Sequence, residues 1–228
     1  MARISAAERR IELVEAAVRV IAAEGVEGAT TRRIAQEANA PLATLHYCFA
    51  TKEVLFAAVF EHVGRQYREV LTRNDIHGDV PTTARALLRG VLEWYLANPD
   101  FGAATGELIS WGKRQEGRQA EMVYNEAFAT LRAILEAAAA TDVRPVDPAI
   151  LDELTYIVSV LSDGFALNWL VFANRTAAEP QIELTLGVLD AWMADHLGDA
   201  SGPAAPAPKA ASPEEALRSL VSWVSVER

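Results

Sequence analysis

The chain has a single cysteine, Cys48, so no intrachain disulfide can brace it. Its four histidines are His46, His62, His77 and His196. None pairs with another His or with the Cys at metal-ligand spacing, so no metal or other cofactor is expected. No nucleophile–base pair and no glycine-rich phosphate loop occurs, so the chain is not expected to be an enzyme. No run of about 18 uninterrupted apolar residues appears, which predicts no membrane span and no membrane partner. The stretch Met1 to Arg10 is charged early and lacks the apolar core of a signal peptide, which predicts a cytoplasmic protein. Period-two alternation is nowhere sustained, so no sheet is expected.

What remains is a chain rich in apolar residues and in negative charge. Its 228 residues suit one medium domain or two small ones sharing a core. At 51% hydrophobic residues it cannot be globally disordered. Ala is the commonest residue, which favours helix. Against 31 acidic residues stand 21 basic ones, for a formal charge of −10. A uniformly acidic protein repels DNA and anionic membranes alike. The charge is not uniform, however. Residues 1–52 hold seven cations and six acids, a net +1, and the remainder carries −11. The two regions therefore suggest two jobs.

Helical spacing dominates the chain. Ile11, Val14, Val18 and Ile21 predict an amphipathic helix from about Ala6 to Glu24, stopped by Gly25. Thr30-Thr31 caps a short second helix carrying Ile34, Ala35 and Ala38. Asn39 tolerates the left-handed backbone of a tight turn, and Pro41 suits the start of a third short helix ending near Cys48. Thr51 caps a long fourth helix. Further helices are predicted over roughly 82–97, 101–113, 117–140, 148–174 and 179–197, with breaks at Asn98-Pro99-Asp100, Arg144-Pro145 and Glu179-Pro180. Residues 199–212 read as an Ala/Pro/Gly/Ser linker, followed by a short helix capped by Ser212.

Two short helices joined by a tight turn, after a longer supporting helix, make a helix-turn-helix. The run from Ala29 to Leu55 is more specific. It contains Thr30-Thr31, Ile34-Ala35, a turn at Asn39, Thr44-Leu45-His46-Tyr47, Phe49, Lys52-Glu53 and Leu55. This stretch resembles the N-terminal signature of the TetR family of transcriptional regulators, over about residues 9–60. The sequence departs from the family pattern at Asn39 (usually Gly), Pro41 (often Ser), His46 (usually Tyr) and Cys48.

The resemblance implies an all-α fold. A three-helix DNA-binding domain with the helix-turn-helix occupies residues 1–52. A larger helical domain, 53–198, binds an effector and dimerises, and 199–228 forms the linker and last short helix. It also implies the DNA-contact positions. Thr31 matches a phosphate-bonding position and Arg32 one that reaches a guanine. Leu42, Ala43 and Thr44 match the base-facing start of the recognition helix. His46 and Tyr47 match phosphate contacts, and Lys52 opens the fourth helix where a phosphate is favoured. Arg33 reads as a solvated residue instead.

In the family the last two long helices form a four-helix bundle with their mates. Here Leu151, Leu154, Ile157, Val158 and Leu161 line one such helix, and Leu184, Leu186, Val188, Leu189, Trp192 and Met193 the other. The middle helices enclose an effector. The candidate lining is Trp94, Tyr95, Phe101, Glu107, Trp111, Tyr124, Phe128, Asp163, Phe165, Asn168 and Trp169. The function implied is a homodimeric repressor on a pseudo-palindromic double-stranded DNA operator, released by a small-molecule effector. An effector-independent regulator, an activator and a helical protein-interaction module remain open alternatives.

Overall fold

The computed structural model describes residues 5–114, 119–143 and 145–198. The linker and short helix expected after residue 198 lie outside these. Among the described residues there are nine α-helices and no strand. They are α1 (Ala6–Gly28), α2 (Thr31–Glu37), α3 (Leu42–Cys48), α4 (Lys52–Arg73), α5 (Val80–Ala97), α6 (Pro99–Arg114), α7 (Gln119–Thr141), α8 (Pro148–Phe172) and α9 (Ala178–Leu197).

The starts are chemically explicit. Ser5 and Glu8 form a reciprocal capping box on α1. Thr30, Thr51, Asp79 and Asp147 each accept a first-turn N–H, opening α2, α4, α5 and α8. Pro148 follows its cap at the first helical position, where its missing N–H is not needed. Pro41 sits one residue earlier than expected, as the N-cap of α3 rather than its first residue.

Gly25 breaks α1 without ending it. Its φ of 70° and ψ of 174° lie in a region that only glycine occupies readily, and one further helical turn continues to Gly28. Asn39 takes the left-handed φ of 48° that the turn between α2 and α3 requires.

Two packed clusters fill the interior. The first joins α1, α2, α3 and the start of α4, with Leu13, Ile21, Ile34, Leu45, Phe49, Leu55 and Val59 buried. It does not stop at residue 52. Phe101, Ala104 and Leu108 of α6 and Val123 of α7 belong to it as well. The second cluster gathers α5, α7, α8 and α9 around Leu87, Leu88, Leu92, Leu135, Leu154, Ile182 and Leu186. Tyr67 of α4 and Trp94 of α5 pack against both.

The last two helices divide differently from the sequence expectation. Leu151, Leu154, Val158, Leu186, Leu189 and Met193 are buried in the chain's own core. Only Leu184 and Val188 of the residues expected to meet a second copy are well exposed. The outer stripe of α8 is instead Tyr156, Val160, Leu167 and Val171, with Phe172 at its end. Spacings of four, seven and four put the first four on one face. With apolar residues on both faces, α8 is long and apolar enough to cross a membrane, at a mean hydropathy of 1.4 over 18 residues. Asp152, Glu153, Asp163 and Asn168 interrupt its apolar run, and a helix apolar on more than one side also suits burial on two sides.

Candidate functional sites

At the N-terminal end, α2 and α3 stand on α1 through Ile34, Ala35, Leu45 and Phe49. This packing decides which side chains are left outside. On α3 the exposed residues are Ala43, His46 and Tyr47, three and four apart and so on one face. Tyr47 is 82% exposed, too open to be a packing residue. Thr31 and Thr44 are half-buried. Leu42 is half-buried against the first core, so it anchors the start of α3 rather than standing free on its outer face.

The cations of this end have distinct tasks. Arg33 bonds Glu24 at 2.6 Å and Glu37 at 3.1 Å, and Glu37 also receives Arg19 at 3.0 Å. These bonds hold the Arg33 guanidinium above its ordinary pKa and the Glu37 carboxyl below its own. Arg33 is thus a brace between α1 and α2, not the freely solvated residue expected. Arg10 donates to the Cys48 carbonyl and lies 4.2 Å over the Phe49 ring, closing the end of α3. Arg9 pairs with Glu12. Arg32 is exposed and makes no ion pair among the described residues, and neither does Lys52, whose ammonium lies 4.9 Å over the Phe56 ring. The buried Cys48 is a packing residue.

A cavity of about 250 Å³ opens between the middle helices. Tyr67 and Leu71 of α4, Val91 and Tyr95 of α5, Gly102, Thr105, Gly106 and Ile109 of α6, Tyr124, Ala127 and Phe128 of α7, and Ser159, Ser162, Asp163 and Leu170 of α8 line it with others. Its polar groups include two hydrogen-bonded pairs. The Tyr124 hydroxyl donates to Asp163 Oδ2 at 2.9 Å, and the Tyr67 and Tyr95 hydroxyls bond each other. Burial raises the pKa of all three phenols, so they stay neutral at any physiological pH. Asp163 is itself solvent-exposed, yet partial desolvation of its carboxyl pushes it up, and the Tyr124 hydrogen bond offsets part of that.

The sequence profile of bacterial regulatory proteins of the TetR family matches residues 13–59. A nicotine-responsive transcriptional repressor, HdnoR of Paenarthrobacter nicotinovorans, is 35% identical over 203 residues, covering 86% of this chain and 99% of that protein. The chain belongs to the TetR family. A second family repressor, NicS of Pseudomonas putida, is 29% identical over 132 residues, 56% of this chain and 62% of NicS. A TetR-family protein of Streptomyces coelicolor has the same fold, with a TM-score of 0.61, 25% identity, and coverage of 80% of this chain and 98% of that one. The protein is therefore a helix-turn-helix DNA-binding regulator of the TetR type, and not an enzyme.

Within this TetR fold the eleven candidate effector residues separate. Tyr95, Tyr124, Phe128 and Asp163 line the cavity. The other seven do not. Trp94 and Phe101 stack edge-to-face at 4.5 Å between the two cores. Trp111 packs on Phe56 at 5.4 Å and on Phe60, bracing α6 to α4. Phe165 and Trp169 are buried in the second core, while Glu107 and Asn168 are exposed, Glu107 beside Gly25. Aromatic content alone does not say which side of a helix a ring faces. The residue most clearly overlooked is Tyr67. It follows Val63 and precedes Leu71 by four residues each, and that spacing already placed it on the buried face of α4.

Proposed function

We propose that the protein is a homodimeric repressor that holds a pseudo-palindromic operator and leaves it when a small molecule enters the cavity. Residues 1–52 act as the reader and 53–198 as the effector-binding and dimerising part. Thr31, Arg32, Ala43, Thr44, His46, Tyr47 and Lys52 form the DNA surface, with Leu42 seating the recognition helix. A DNA-binding regulator works where the chromosome is, so the site of action is the cytoplasm.

One observation carries the release mechanism. Helices α4 and α6 each border both the cavity and the N-terminal core: on α4, Tyr67 and Leu71 line the cavity one and two turns beyond Val63 of the core. On α6, Gly102, Thr105, Gly106 and Ile109 line the cavity, while Phe101, Ala104 and Leu108 pack in the core that seats α1. A ligand that displaces α6 or Tyr67 therefore moves the base on which the recognition helix stands. Two readers so displaced no longer match successive major grooves, provided the ligand binds the released form more tightly. The response to nicotine in the name of the relative HdnoR supports small-molecule control.

The dimer rests on the outer stripes of α8 and α9. Tyr156, Val160, Leu167 and Val171 on α8, and Leu184 and Val188 on α9, are exposed apolar residues that a second copy would cover. A gel shift on the DNA upstream of the gene tests the whole reading. A retarded complex of two chains per site, dissolved by nicotine as the first probe, is the expected result. No retardation at low salt would overturn it.

A further inference from the structure

We propose that the cavity takes a monocationic amine with an apolar body, and that Asp163 is its counter-ion. This rests on the effector reading of the cavity given above. Asp163 is the only charged residue among the described lining, and no Lys, Arg or His accompanies it. The other polar groups offer little to an anion. Ser159 and Ser162 donate to the carbonyls of Thr155 and Val158 in their own helix. The Tyr124 hydroxyl donates to Asp163, and the Tyr67 and Tyr95 hydroxyls are engaged with each other. A carboxylate or phosphate ligand would meet a like charge with no cation to compensate it, and only neutral donors remain: the Thr105 hydroxyl and one O–H of the Tyr67–Tyr95 pair.

A cation finds two kinds of partner at once. The Asp163 carboxylate supplies the opposite charge, and the neutral rings of Tyr67, Tyr95, Tyr124 and Phe128 supply negative faces. The carboxyl is held above its ordinary pKa by desolvation, so an arriving ammonium relieves an existing cost and draws it into the ionised form. The cavity of about 250 Å³ lies just below the usual range of roughly 300–1,000 Å³ for small-molecule sites, which favours a body of one or two rings.

Three probes of one shape test this by titration calorimetry on the full chain: N,N-dimethyl-2-phenylethylamine, the neutral 4-phenyl-2-butanone and the anionic 3-phenylpropanoate. The amine is expected to bind about tenfold tighter than the ketone, and the acid weakest. Asp163→Asn keeps the shape and the acceptor for Tyr124. It is expected to bring the amine to within about threefold of the ketone and to leave the ketone unchanged. Ala127→Trp fills the cavity and is expected to abolish binding of both. If the ketone or the acid equals the amine, or if Asp163→Asn keeps the amine's advantage, the cation inference falls while the cavity reading stands. If no probe binds the wild-type chain, the cation inference also falls. If a folded Ala127→Trp variant, checked by its melting transition, still binds the amine, the amine is held by the acidic surface and the cavity reading falls with it.

Discussion

The Asp163 carboxyl stands above the ordinary value of 3.8 because burial penalises its charged form more than the Tyr124 hydroxyl rewards it. Folding therefore favours the neutral acid. That contribution is complete below about pH 3.8 and is lost as pH rises through the folded value. The groups facing this carboxyl, Tyr124, Tyr67 and Tyr95, remain neutral throughout that window. Asp163→Asn is neutral at every pH, so its melting temperature should gain on wild type as pH rises above 3.8 and through the folded value. A constant margin, measured by thermal denaturation, would mean the carboxyl is not desolvated. At the DNA surface, Arg32 and Lys52 are expected to behave differently. Arg32→Ala should cost about 1–3 kcal/mol on the operator and relax preference at one base pair. Lys52→Ala should weaken all sequences alike. Quantitative gel shifts on the operator and a scrambled duplex separate the two.

Among the elements, α1 carries the sharpest backbone constraint. Gly25 holds a φ and ψ that side chains resist, at the point where α1 bends beside Glu107 of α6. A Cβ there would meet only ordinary contact, 3.5 Å from the Glu107 carboxylate, so the conflict is conformational rather than steric. Gly25→Ala should cost about 1–3 kcal/mol, read from urea denaturation. Helix positions were largely legible in the sequence because caps and breakers act within a few residues. Thr30, Thr51, Asp147-Pro148 and Asn39 all serve as their local chemistry requires. The faces of α8 and α9 were not legible. Leu151 and Leu184 are alike as residue types, and only the position of α5 and α7 makes one core and the other surface. The cavity was half legible for the same reason: Tyr124 and Asp163 were identifiable as polar groups among aromatics, but Trp111 and Trp169 face elsewhere.

For the molecule as a whole, the charge of −10 and an affinity for DNA are reconciled by distribution. Arg9, Arg19 and Arg33 are paired with carboxylates, and Arg10 is spent on the end of α3. Arg32 and Lys52 are what the described reader surface offers to phosphates and bases. A dimer with two such cations per copy should show a salt slope, log K against log[salt], of about −4. A slope near −10 would require a broader basic surface than this. Dimerisation has its own test. Val188→Glu, on the exposed stripe of α9, should leave helicity intact, turn the dimer into a monomer by light scattering, and abolish the operator complex. A dimeric Val188→Glu protein would move the interface elsewhere.

By itself the sequence determined the helices, their caps, the helix-turn-helix and the family, because each depends on residues close together along the chain. Tertiary structure alone decided that Arg33 braces while Arg32 is unpaired among the described residues, since Glu24 lies nine residues away and is brought back by the packing of α1 on α2. It also decided that Tyr67 joins the cavity and that α6 borders both cavity and reader. The physical reason is common to all three. Periodicity says that a helix has an apolar face, but which neighbour covers that face is settled only when every helix has found its place.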